Sequence, residues 1–198
     1  MLKRAGFLSG GYDREALKYP FVAKAPTQGG SFGIRLIRCE EELPLMADPF
    51  RYDETILLED YAPGCFVTVG LWPGPEGIRA LPCVEGLDLR SAPEDGLTLF
   101  LGDYTVRRPE LPQDITERLR REALEIFREC GARDYARVDF IVSPDRSRLD
   151  VLEINAVPGL KPQSLYPRAA ELAGMDYDDL IEGILLSAVR RTKLCSET

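Results

Sequence analysis

The chain has 198 residues, 44% of them hydrophobic, and carries 25 Lys and Arg against 33 Asp and Glu for a formal net charge of -8. A chain of this size buries a sizeable core as one unit or as two small lobes, and its acidic balance excludes a general nucleic-acid or anionic-membrane surface, which needs clustered Lys and Arg. It contains no histidine, which excludes Ser-His-Asp and Cys-His triads, histidine-ligated zinc and imidazole acid/base catalysis within the chain; its chemistry rests on carboxylates, Lys, Arg, a hard metal ion or backbone dipoles.

The opening "MLKRAGFLSGG" has too short an apolar stretch for a signal peptide, and no segment approaches transmembrane length. Cys39, Cys65, Cys83, Cys130 and Cys195 are scattered, odd in number and free of any C-x-x-C spacing, so they read as reduced, mostly buried thiols. The expected location is the cytoplasm.

"YPFVAKAPTQGGSFGIRLI" reads as strand, glycine loop, strand, with Phe21 to Ala25 leading in and Ile34 to Ile37 leading out. "CEEEL" looks like the start of a short helix. "TILLEDYAPGCFVTVGLW" gives two strands divided by Pro63 and Gly64, "RALPCVEGL" gives one more, and Arg90 to Leu97 is a stretch of turn formers expected to be a mobile loop. "DITERLRREALEIFRECG" is a helix with Asp114 as cap, Glu117 at N3, a stripe of Ile115, Leu119, Ile126 and Cys130, and Gly131 as its end. "PRAAELAG" and "DDLIEGILLSAVRR" are closing helices, the second amphipathic through Leu180, Ile181, Ile184, Leu185 and Ala188. Strand runs flanked by helices, without regular βαβ alternation, predict an α+β layout with mainly antiparallel sheets.

The segment "RVDFIVSPDRSRLDVLEIN" predicts a hairpin from the alternation of Val138, Phe140 and Val142, the turn formers from Ser143 to Ser147, and the run from Leu149 to Ile154. A turn centred near Arg146 sets Asp139 opposite Glu153 and Arg137 opposite Asn155, with opposed Cβ atoms about 5 Å apart. Two facing carboxylates ask for a positive partner. Mg²⁺ prefers hard oxygens and is commonly held by one or two carboxylates plus substrate phosphates, which Asp139, Glu153 and the Asn155 amide oxygen suit; the alternative is a surface network in which Arg137 neutralises Asp139.

In "KAPTQGGSFGI", Lys24 ends an apolar strand and Gly29, Gly30, Ser31 and Gly33 follow it. Backbone N–H groups of such a loop close over an anion and a lysine adds charge, yet a plain hairpin loop accounts for the pattern equally well. Ser164, just past Pro158 and Gly159 in "EINAVPGLKPQSLYP", either helps bind a carboxylate at a helix entry or is an ordinary N-cap. Glu59 in "LLEDYAPG" either contacts a ligand or simply ends a strand.

Taken in order, "KAPTQGGSFGI", "LLEDY" with "VTVGL", "LPCVEG", "ARVDF" and "LEINAVPGLKPQSLYP" resemble the ATP-grasp superfamily, most closely the D-alanine:D-alanine ligase type, from about Tyr19 to Leu185. The resemblance implies an ATP-dependent joining of a carboxylate to an amine through an acylphosphate. It implies that Lys24 and Ser31 contact ATP phosphates, that Glu59 and Tyr61 lie near adenine, and that Asp139, Glu153 and Asn155 hold Mg²⁺ or Mn²⁺. Arg137 and Gly159 then help stabilise the tetrahedral intermediate, and Ser164 with Leu165 receives the acceptor's carboxylate. Phe66 stands where this type usually has an acidic residue for the ribose, and Arg107 stands where a nucleotide-contacting lysine is expected. Also implied are a small ATP-grasp lobe over residues 1–61, a larger one over 62–198 with Mg-ATP bound between them, and the lack of the family's N-terminal substrate domain. The partners to expect are an amino acid or peptide substrate and a chain carrying that domain or a second copy. The alternative function is a catalytically idle ATP- or ADP-binding regulatory subunit.

Overall fold

The computed structural model describes residues 5–9, 18–28, 32–88 and 104–196, with side chains over 18–28, 32–86 and 105–192. The Arg90–Leu97 stretch and Ser31 lie outside them. The chain forms two compact units, one of Met1–Pro63 with Asp88–Tyr104, the other of Gly64–Leu87 with Thr105–Thr198.

The first unit is built on a four-stranded sheet of β1 (Ala5–Ser9), β2 (Phe21–Lys24), β3 (Ile34–Ile37) and β4 (Thr55–Asp60), in the order β1-β4-β2-β3 and antiparallel throughout. Period-2 alternation turns Phe21 and Ala23 to one face, where they meet Ile37 and Ile56. Leu43 and Met46 complete that core from the short helix that "CEEEL" begins, a 3-10 helix over Glu40–Ala47. Pro44 inside it has no N–H to donate and a ring that opposes an α-turn. Strand β1, paired Ala5 to Glu59 through Ser9 to Thr55, was not legible in its five residues.

The second unit is built on the sheet order β10-β9-β5-β6, with β5 (Cys65–Gly74), β6 (Gly77–Ala80), β9 (Ala136–Val142) and β10 (Leu149–Asn155). Gly64 enters β5 at φ +152°, a backbone that side-chain-bearing residues rarely adopt, and a Cβ there would lie 2.1 Å from the Val142 carbonyl oxygen. Val67, Val69 and Leu71 of β5 and Val138, Phe140 and Val142 of β9 share one face, against Leu119, Ala123 and Phe127 of α1 (Gln113–Glu129). Each of these Val, Leu and Phe side chains contributes about 1.5–3 kcal/mol on burial.

The opposite face carries Thr68, Gly70 and Trp72 of β5 and Arg137 and Asp139 of β9. Helices α2 (Leu165–Leu172) and α3 (Tyr177–Ser196) cover part of it. The Tyr166 ring packs on Gly70 and its hydroxyl donates to the Leu71 carbonyl at 2.8 Å, while Trp72 Nε1 donates to the Leu180 carbonyl at 3.3 Å. Polar side chains of β5 and β9 remain grouped at the part carrying Thr68 and Asp139.

Four local expectations are corrected. Helix α1 starts two residues early, with Pro112 at the N-cap and no capping box; Asp114 sits in its first turn, and Glu117 accepts from Gln113 at 2.7 Å. "RALPCVEGL" is two strands: Pro82 has no N–H for a ladder, and β7 (Glu85–Asp88) pairs instead with β8 (Tyr104–Arg107). On α3, Leu180 is fully buried but Leu185 is 60% exposed, because a single helix stripe faces the sheet. Of the four cysteines with described side chains only Cys83 is buried, and Cys39 and Cys130 are exposed.

Candidate active site

The β9–β10 hairpin pairs Asp139 with Glu153 and Arg137 with Asn155. The expected pairing is therefore present, but it arises by a different route. The turn closes on Ser143 and Arg148, and the ladder runs Leu149 to Val142, Asp150 to Ile141 and Val151 to Phe140. Continued without interruption, that register sets Leu152 against Asp139. A one-residue bulge between Val151 and Glu153 shifts it and brings the second carboxylate opposite the first.

Asp139 is 2% exposed and lies in the middle of the sheet. Its Oδ1 accepts from the Thr68 hydroxyl at 2.6 Å and from Arg137 Nε at 2.8 Å, and its Oδ2 accepts from Arg137 Nη2 at 2.7 Å. A buried carboxylate needs such partners, since an unpaired charge costs several kcal/mol out of water. Glu153 is exposed. Asn155 Oδ1 accepts the Val157 N–H at 3.0 Å, which turns the chain sharply after β10.

These oxygens suit a hard cation by chemistry: two carboxylates and a neutral amide are the donors Mg²⁺ takes. Among the described residues no cluster of three or more Asp, Glu or Cys is set to hold a metal. With three of its roughly four lone-pair directions engaged, Asp139 has one left unless the Arg137 fork opens.

Nearby in sequence, Gly159 and Ser164 lie together, an added Cβ at Gly159 falling 3.3 Å from Ser164 Oγ. Ser164 is the N-cap residue of α2, but its side chain makes no capping hydrogen bond. Leu165 is buried. Arg107 Nε donates to the buried Glu85 at 3.0 Å, and Phe66 is 6% exposed.

In the first unit Lys24 Nζ is 2.7 Å from Glu59 Oε2, the two side chains equally half-buried. Neighbouring strands β2 and β4 thus join two residues that the sequence presents as separate candidates. Tyr61 is half-buried and its N–H donates to the Pro20 carbonyl at 3.4 Å.

Two residues escaped the sequence reading. Thr68 is the one hydroxyl in the buried run "VTVGL", and Glu85 the one acid in "LPCVEGL"; a lone polar side chain in an apolar strand was the available signal. A groove of about 340 Å³ in the second unit is lined by Trp72, Arg79, Asp179, Glu182, Leu186 and Arg190, among others. None of the site residues expected from the sequence lines it.

The sequence profile of the family described as D-ala D-ala ligase C-terminus matches residues 12–186. The chain belongs to this family. This chain is 37% identical over 179 residues to the D-alanine–D-alanine ligase of Desulforudis audaxviator, an alignment spanning 88% of this chain and 57% of that protein. It is 34% identical over 182 residues to the enzyme of the same name from Halalkalibacterium halodurans, spanning 86% and 58%. The D-alanine–D-alanine ligase structure from Coxiella burnetii superposes with a TM-score of 0.80 at 20% identity, over 99% of this chain and 54% of that one. The Bacillus anthracis D-alanine–D-alanine ligase complexed with ATP superposes at 0.75 and 25% identity, over 96% and 61%. The α+β ATP-grasp fold with antiparallel sheets is therefore the fold of this chain. The chain spans little more than half the length of the curated relatives it matches.

Proposed function

We propose that this chain is the core of an ATP-dependent carboxylate–amine ligase of the D-alanine:D-alanine ligase kind. The observation that carries the reading is the pairing of Asp139 with Glu153 and of Arg137 with Asn155 on one hairpin, in a chain of this family. Asp139, Glu153 and Asn155 hold Mg²⁺ or Mn²⁺. When bound, the metal neutralises charge on the phosphates.

Lys24 and Ser31 bind the phosphates of ATP, with Glu59, Tyr61 and Arg107 as further nucleotide contacts. The bound form of the Bacillus anthracis relative supports ATP as the nucleotide. A substrate carboxylate oxygen attacks the γ-phosphorus and ADP leaves. The amine of the second substrate then attacks the acylphosphate carbon, and phosphate leaves. Arg137, with Gly159, stabilises the charge that develops on the carbonyl oxygen, and Ser164 with Leu165 orients the acceptor's carboxylate. No histidine is needed, because such transfer rests on positioning and fixed charge.

The substrates are amino acids or short peptides, and the setting is the cytoplasm. A polypeptide carrying an N-terminal substrate domain, or a second copy, completes the site for the first substrate, since none of the residues assigned here holds it. Calorimetric titration with ATP, with and without Mg²⁺, tests the binding half: binding that requires the metal is expected, and none in either condition overturns the reading. Amine-dependent phosphate release on adding the completing polypeptide tests the chemistry.

A second reading, an idle ATP- or ADP-binding regulatory subunit, draws on the Arg137 fork that occupies Asp139. Mg-ATP binding without any amine-dependent turnover in the completed assembly favours it.

A further inference from the structure

The groove of about 340 Å³ in the second unit lies where the β5–β6 hairpin meets α3. Its lining is apolar at the base: Trp72, Pro73 and Met175 are buried, and Leu186, 43% exposed, stands beside them. The Trp72 indole is fixed there, its Nε1 donating to the Leu180 carbonyl and the Arg79 guanidinium lying over its ring at 4.5 Å.

The rim carries both signs of charge, Arg79 and Arg190 with Asp179 and Glu182, all four exposed. Among the described residues none of the four side chains forms an ion pair, and neither arginine donates a hydrogen bond. The next residue on α3, Arg191, does not line the groove and does pair, with Asp134 at 2.8 Å. Spacing accounts for the difference. Glu182, Leu186 and Arg190 follow at four-residue intervals on one stripe of α3, which sets acid and base about 12 Å apart along the axis, beyond the three or four residues over which helix charges pair.

An apolar step thus separates an unpaired acid from an unpaired base, beside an indole. A ligand that answers all three has an ammonium at one end, a carboxylate at the other and small apolar groups between. A single amino acid is too short, since one Cα carries both its charges. Two or three linked residues extend about 7–11 Å, and the long Glu182 and Arg190 side chains close the remainder. The volume falls within the range of small-ligand clefts, about 300–1,000 Å³.

We propose that this groove is a second binding site, for a di- or tripeptide with free termini, its ammonium at Asp179 and Glu182 and its carboxylate at Arg79 and Arg190. It shares no residue with the ligation site proposed above and does not depend on that reading.

Trp72 is the single tryptophan, so its emission reads occupancy of the groove directly. Dialanine and trialanine with free termini are titrated against the full chain without nucleotide or metal, beside their N-acetylated and C-amidated forms. A saturable change in emission is expected, and each blocked form binds at least about tenfold more weakly. Glu182→Gln and Arg190→Gln, at exposed positions that leave the fold intact, each weaken the free peptide by about tenfold, whereas Glu153→Gln leaves it unchanged. No change in emission up to about 10 mM of either peptide overturns the inference. Equal binding of the blocked forms also overturns it, and makes the groove a seat for an internal segment of another chain. A loss in Glu153→Gln equal to that in Glu182→Gln overturns it as well, by moving the peptide to the ligation site.

Discussion

Arg137 and Asp139 stand two residues apart on one strand and close a bidentate ion pair with side chains only 11% and 3% exposed. Removing either partner leaves the other charge buried and unmatched, which costs about 3–5 kcal/mol. Asp139→Asn is therefore expected to lower the urea midpoint markedly, and Arg137→Ala to do the same. Glu153→Gln, at an exposed position, changes stability by less than about 1 kcal/mol. Both Asp139→Asn and Glu153→Gln are expected to abolish Mg-dependent nucleotide binding, so Glu153→Gln is the cleaner test of the metal. Full Mg-ATP affinity in a folded Glu153→Gln protein refutes the ligand assignment.

Thr68 aims the same carboxylate from the neighbouring strand. Thr68→Val keeps the shape and deletes a buried donor to a charged acceptor, which costs about 1.5–3 kcal/mol. Thr68→Ser retains most of that stability. Equal urea midpoints for the Val and Thr forms would show that the hydrogen bond contributes nothing net.

Gly183 on α3 touches the indole of Trp72, and a Cβ there would lie 2.4 Å from Cζ2. Gly183→Ala gains about 1 kcal/mol of helix propensity but overpacks a filled contact at about 1–3 kcal/mol. The melting temperature measured by calorimetry is expected to fall. A rise would mean that α3 shifts off the sheet without cost.

The β9–β10 turn is held by Asp145, whose carboxyl is lowered from 3.8 to about 2 by hydrogen bonds from Ser143 and Ser147 and from the Ser147 N–H. A depressed folded value means that the ionised form stabilises the fold. That contribution is complete above the unfolded value near 4 and is lost as pH falls through about 2. An NMR titration of Asp145 should give its midpoint near 2, and Ser143→Ala should move it upward. A midpoint left at 3.8 would rule the network out in solution.

The sequence conveyed the pattern of facing residues better than its cause. Alternation and turn formers were sufficient to pair Asp139 with Glu153, but the bulge that produces the pairing left no trace in "LDVLEIN", because an extra residue in a ladder is fixed by both strands together. The buried side of Asp139 was illegible for a similar reason: Thr68 lies 71 residues away, and only the sheet order brings it there. Conversely, Gly131 at φ +62° ends α1 where expected, since a helix stop is a local signal. The helical stripe in the sequence extends to Cys130, yet that residue is the C-cap of α1, past its last turn, and is exposed.

Trp72 is the single tryptophan of the chain, and it is buried in the second unit between β5 and α3. Its ring stacks beneath the Arg79 guanidinium at 4.5 Å. Intrinsic indole emission excited near the red edge thus reports on one unit alone, silent to the unit that holds Lys24 and Glu59. The natural sequence in this way supplies a spectroscopic label that separates unfolding of the metal-proposed half from that of the phosphate-proposed half, with no engineered probe.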